Sequence, residues 1–289
     1  MRPLQPAGNR PQTKAQGPSR KLVIKPLKSK PSLPADFEAK TWNRLQDAIQ
    51  AVHAQQPVAC SLEELYRAVE DMCLHKMADR LYAGLQQACD QHTRRQIEKL
   101  TQSQVADDVI FLRQMHQCWD DHASQMLTIR SIFLYLDRSY VLSASSVRSL
   151  YEMGLQQFRN HLVQHSEVLQ KTIAGVNQLI EAERLGEAVD RQLLAHLLRM
   201  TSALGIYDDS FQTGFLDRTL LFYRTESQRM IQEVEVAAYL EHCERRIQEE
   251  YERCQNYLEP GTRRHLIKAS LDRAGEQLMA KTIHMDPVC

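Results

Sequence analysis

Apolar residues recur along most of this chain at intervals of three and four, which places their side chains on one face of an α-helix. Trp42, Leu45, Ile49 and Val52 open the pattern, and Asp36 stands where it can cap the helix they predict. Pro57 interrupts the run. Ser61-Leu-Glu-Glu64 then reads as a capping box, in which hydroxyl and carboxylate each satisfy the other residue's unpaired amide. The helix it opens carries Leu62, Leu65, Tyr66, Val69 and Met72. A third, from about Met77, carries Leu81, Leu85, Ala88 and His92.

The longest run is Leu112, Met115, Trp119, His122, Met126, Ile129, Phe133 and Leu136. It predicts one amphipathic helix of roughly 25 to 30 residues, about 40 Å at 1.5 Å per residue. A fifth helix, marked by Val147, Leu150, Tyr151, Leu155, Phe158 and Leu162, follows a serine-rich break at 143–146. A second set runs from Leu169 to Ile180, stops near Gly186, and resumes from Leu193 to Leu204 before Gly205. It continues from Phe211 to Ile231 and from Val236 to Leu258, ending at Pro260-Gly261; residues 262–281 are weakly helical, and His284 to Cys289 reads as a frayed end. The expected fold class is all-α, with two bundles of similar length suggesting a repeat.

The first 35 residues have a different character. They hold eight Lys and Arg, no acid and seven of the ten prolines, a composition that buries too little apolar area to order itself. One island, Leu22-Val23-Ile24 between Lys21 and Lys25, reads either as a segment that folds onto a partner or as part of a nuclear-import or acid-binding tail. Over the whole chain Lys plus Arg and Asp plus Glu are both 36, so the chain as a whole is not built to neutralise phosphates. No apolar run approaches the ~18 residues of a membrane span, and no secretory signal follows Met1. Seven irregularly spaced cysteines without such a signal read as reduced thiols of a cytosolic or nuclear protein.

Candidate chemistry is sparse. Cys89-x-x-His92, and His116-x-Cys118 with His122, carry zinc-binding residue types, but they fall on helical segments, and His122 occupies the apolar register of an interior histidine. Asp107-Asp108, Asp120-Asp121 and Glu249-Glu250 are adjacent on helices, so their carboxylates diverge by about 100° and read as solvated faces. No P-loop, nucleophile elbow or Rossmann glycine pattern occurs, and no catalytic residue, metal or cofactor is expected. Interaction surfaces carry more information. Leu62 and Tyr66 share one stripe of the second helix, while Leu65, Val69 and Met72 form the next. A helix apolar on more than one stripe either sits deep in a core or offers the surplus to a partner. The pattern alone leaves both open, with the core the stronger reading; Leu150, Tyr151 and Phe158 pose the same question.

Several stretches resemble the amino-terminal region of the cullin family. They are Lys21-Leu-Val-Ile-Lys25, Leu62-Glu-Glu-Leu-Tyr-Arg-Ala-Val-Glu70, Met126 to Val141, Met153-Gly-Leu155, Leu179 to Arg191, and Tyr207-x-x-Ser-Phe211. The first and third are similar to the cullin-4 subtype, and the likeness covers about residues 20 to 258. It implies an elongated curved stalk of tandem five-helix cullin repeats behind a disordered basic tail. The corresponding divisions are 1–35 with a docking segment at 21–27, a first repeat at 36–165, a partly complete second at 166–261, and a truncated or divergent end at 262–289. It also implies a non-catalytic scaffold of a ubiquitin ligase, found in nucleus and cytoplasm, whose partner is a β-propeller adaptor associated with damaged-DNA binding. Family members hold the adaptor through the second and fifth helices and, in this subtype, the tail. The expected contacts are therefore Leu22, Val23, Ile24, Leu62, Glu63, Tyr66, Leu150, Tyr151 and Phe158, with no direct nucleic-acid or membrane contact.

Two departures qualify the likeness. Ala237 stands where the family usually has proline, and the match fades after about Pro260. The family's carboxy-terminal domain, which binds the RING subunit, has no counterpart in these residues. The expectation is a fragment or competitor that binds adaptor without a RING subunit. Rival classes are a helical vesicle tether of the exocyst kind, which would need a basic patch on its folded part, and nucleic-acid binding by the tail, which has no aromatic residue before Phe37 to stack on bases.

Overall fold

The computed structural model describes residues 34–103 and 105–267. Met1–Phe37 forms one unit and Glu38–Cys289 another. The expected docking segment, with Leu22, Val23 and Ile24, and the end beyond residue 267 lie outside the described residues.

Every regular element among the described residues is helical. Helices α1 (Phe37–His53), α2 (Leu62–Leu74), α3 (Ala78–Thr101) and α4 (Asp108–Ile132) follow the predicted stripes. Leu45, Ile49 and Val52 of α1 are buried, as are Leu65, Val69 and Met72 of α2. The predicted capping box is formed: Glu64 N donates to Ser61 Oγ and Ser61 N to the Glu64 carboxylate, both at 3.2 Å. Asp107 caps α4 by accepting from Ile110 N at 3.0 Å.

The long helix ends earlier than its pattern. After Ile132 the chain passes through α5 (Leu134–Leu136) and a π-helical turn, π1 (Asp137–Val141), yet Phe133 and Leu136 remain fully buried. The wider turn admits a residue without losing the apolar register, and it brings Asp137 inward. There Asp137 Oδ1 accepts from Leu150 N and Oδ2 from Arg130 Nε, each at 3.0 Å. Leu150 begins α6 (Leu150–Gln164), which has its own capping box between Ser149 and Glu152. Then come α7 (Ser166–Arg184), α8 (Arg191–Ala203), π2 (Tyr207–Gln212), α9 (Thr213–Glu233) and α10 (Val236–Asn256). The predicted stops after α7 and α8 fall at Gly186 (φ 92°) and Gly205 (φ 64°), where the chain turns in the left-handed region. Pro260 does not simply end the helical pattern; it starts a further helical stretch, 260–267, at a position where its missing amide costs nothing.

Helix α4 packs against α2, α3 and α6 on one side of the sequence and against α7 and α8 on the other. Leu112 and Met115 of α4 accordingly belong to the same core as Phe158 and Leu162 of α6 and Val176, Leu194, Leu197 and Phe211 further along.

The acidic pair in α10 corrects the expectation of a solvated face. Glu249 is half-buried beside Arg246, but Glu250 is sealed from solvent between Arg184 and Arg253. Two guanidinium groups supply the charge and donors that make such burial tolerable. Asp121 is likewise engaged, accepting from Gln55 and Gln117 at 2.7 and 2.8 Å.

Candidate partner-binding face

The capping box fixes where α2 starts, and therefore which of its stripes meets the core. With Leu65, Val69 and Met72 inward, Leu62 is left 55% exposed, Glu63 exposed and Tyr66 half-buried. Beside them the end of α4 and the turn after it present Leu127 (52% exposed), Ser131, Leu134 and Arg138, which with Arg130 wall a shallow groove against Leu62, Glu63 and Tyr66. The Tyr66 ring stands edge-on to Tyr135 with centroids 6.0 Å apart, which orients it. Glu63 pairs with Arg67 at 2.6 Å along α2, and Arg130 is oriented by its bond to Asp137.

The result is an apolar centre with a charged rim, the ordinary anatomy of a protein-binding patch. Sealing the exposed halves of Leu62 and Leu127 would contribute roughly 1 kcal/mol each. Leu127, Leu134, Arg130 and Arg138 were not among the residues expected from sequence. Leu127 and Leu134 each follow a buried register residue, Met126 and Phe133, but position alone does not mark them, since Phe111 and Ile132 stand one step out of the same register and are buried.

The fifth-helix candidates divide. Tyr151 is half-buried and accessible, but Leu150 and Phe158 are fully buried, so neither touches a docked partner in this arrangement. Leu150 is anchored by its amide to Asp137, and Phe158 packs edge-on to Trp119 and against His122. Both support the surface from within.

Histidines gather at a separate place, a cavity between the end of α1, α3, α4 and α6. His53 stacks on His92 with centroids 3.9 Å apart and planes 7° from parallel. His122 is buried and donates from Nε2 to the Gly154 carbonyl at 3.1 Å, an interior histidine as its register indicated. Burial, reinforced by neighbouring positive charge, pulls His53 down to about 3 and His92 to about 4; burial likewise brings His122 to about 4, so all three are neutral near pH 7. Cys89 and Cys118 are raised by burial to about 12 and remain thiols. Among the described residues no three His, Cys, Asp or Glu side chains converge as metal ligands.

Comparison with known proteins places the chain among relatives. Residues 42–287 match the Cullin alpha solenoid domain. The chain is 46% identical over 251 residues to Cullin-4A of Homo sapiens, covering 87% of this chain and 33% of that one. It is 44% identical over 266 residues to Cullin-4A of Mus musculus (92% and 35%) and 39% identical over 254 residues to Cullin-4 of Dictyostelium discoideum (87% and 31%). The chain thus spans about a third of the length of these relatives.

Proposed function

Because this chain belongs to the cullin family, we propose that it is the adaptor-binding scaffold arm of a cullin-RING ubiquitin ligase, with no catalytic residues of its own. The observation that carries the reading is the exposed stripe of α2: Leu62 and Tyr66 stay accessible beside Leu127 and Leu134, while the neighbouring stripe supplies the core. The adaptor we propose is a β-propeller protein of the damaged-DNA-binding kind. Leu62, Glu63, Tyr66 and Tyr151 contact it, and Leu150 and Phe158 hold the surface in shape. Leu22, Val23 and Ile24 would add to a propeller strand, with main-chain hydrogen bonds giving affinity and the apolar side chains giving register. On this reading residues 36–165 form one helical repeat and 166–261 the next.

The experiment is a pull-down of that adaptor by the chain, by Leu62→Asp/Tyr66→Asp, and by a deletion of residues 1–30. An unpaired carboxylate at a docked apolar centre costs several kcal/mol. Capture by the parent, loss in the double variant and weakening on deletion, with helicity unchanged in both, supports the proposal. A well-folded parent that captures no adaptor overturns it.

A further inference from the structure

A second accessible apolar surface lies between α7 and α9, formed by elements that the proposed adaptor face does not use. Leu185, at the end of α7, is 66% exposed and Leu221 of α9 is 64% exposed; Phe222 forms the floor between them. The turn at Gly186 holds Leu185 outward, since the amides of Leu185 and Glu187 close back onto Ala182. Along α9 the stripe facing this groove reads Arg218, Leu221, Thr225 and Arg229. Its two arginines stand eleven helical steps apart, about 16 Å or three turns at 1.5 Å per residue.

Charge gives the groove a direction. Arg218 and Arg229 are exposed and form no ion pair with any described carboxylate. Glu226, though it lies in the wall, is already consumed: Arg246 donates to both of its carboxylate oxygens and also to Glu249 and the Arg184 carbonyl. That clamp keeps Arg246 above its ordinary value despite burial. Glu181 on the α7 wall is the remaining acid of the groove. The surface therefore offers two leucines between two uncommitted guanidinium groups about three helical turns apart.

We infer that the α7–α9 groove is a docking surface for an acidic amphipathic helix of a partner protein. The helix seats apolar side chains against Leu185, Leu221 and Phe222 and sets a carboxylate near each of Arg218 and Arg229. Helix-in-groove recognition asks for this combination of an apolar seam and flanking complementary charge.

The test uses the 289-residue chain and two fluorescein-labelled helical peptides of leucine, alanine and one charged residue type, glutamate in one and lysine in the other. Fluorescence anisotropy is expected to show the glutamate peptide binding at least tenfold more tightly. Arg218→Glu/Arg229→Glu is expected to reverse that preference, and Leu221→Asp to weaken both peptides, with circular dichroism unchanged. The reversal separates groove binding from simple attraction to the basic residues of the tail. Equal binding of the two peptides, or a preference untouched by the substitutions, overturns the inference. So does concentration-dependent self-association abolished by Leu221→Asp, which would make a second copy the occupant.

Discussion

Arg184 grips Glu250 with two donors, Nε and Nη2, at 2.8 and 3.1 Å, in a site where the two side chains are 3% and 0% exposed. Arg253 Nη1 adds a third donor at 2.9 Å and Tyr223 a fourth at 2.5 Å, while Arg184 also reaches Thr219. Burial alone would raise the Glu250 carboxyl, yet the two guanidinium groups hold it below its usual range. Helices α7, α9 and α10 are thus joined by a charge cluster rather than by apolar packing alone.

Removing one member of such a cluster leaves the other charge stranded. Glu250→Gln is expected to destabilise the chain by about 3–5 kcal/mol, because it leaves the buried Arg184 guanidinium without its anion. Tyr223→Phe deletes only one hydrogen bond and is expected to cost about 1–3 kcal/mol. Urea denaturation of both variants checks the ordering.

The stacked histidines predict a pH dependence. His53, His92 and His122 titrate near 3 to 4 in the fold, below the 6.5 of an unperturbed imidazole, so the unfolded chain takes up protons first as pH falls. Stability should be level with respect to these groups above pH 6.5 and fall between there and about 4. Each contributes a decline of up to about 1.4 kcal/mol per pH unit. Comparing urea midpoints at pH 7 and pH 5 reads the effect, and His92→Gln should shrink the difference between the two pH values.

Helix positions were legible because a 3-4 spacing reports one property, which side faces the core. The serine-glutamate signature located the start of α2 and would also have located α6 at Ser149, where the apolar residue Val147 drew the predicted start too early. Which stripe of an all-round apolar helix stays exposed depends on neighbours remote in sequence. Leu62 and Leu150 look alike in pattern, yet one is 55% exposed and the other 0%, because Asp137 from the π turn anchors the second against the core. Glu250 was misread for the same reason: nothing adjacent to it announces Arg184, 66 residues away.

Leu62 and Leu150 should therefore fail differently when changed. Leu62→Asp is expected to abolish adaptor capture with a change in unfolding free energy within about 0.5 kcal/mol, as for a surface position. Leu150→Ala should cost about 2–5 kcal/mol of stability through the cavity it leaves. A melting curve beside each pull-down separates lost contact from lost fold.

Gly84 and Gly186 are each required for a different reason. A Cβ on Gly84 would stand 2.8 Å from two atoms of the Trp42 ring, so the indole or all of α1 must shift. At Gly186 nothing lies within 4 Å, but the backbone sits at φ 92°, where an L side chain meets its own carbonyl. Gly84→Ala is expected to cost about 1–3 kcal/mol by overpacking, less the roughly 1 kcal/mol that alanine gains in a helix. Gly186→Ala should cost about 1–2 kcal/mol from the backbone alone. A double-mutant cycle with Trp42→Leu discriminates them: the smaller side chain should remove most of the Gly84→Ala penalty and leave that of Gly186→Ala unchanged.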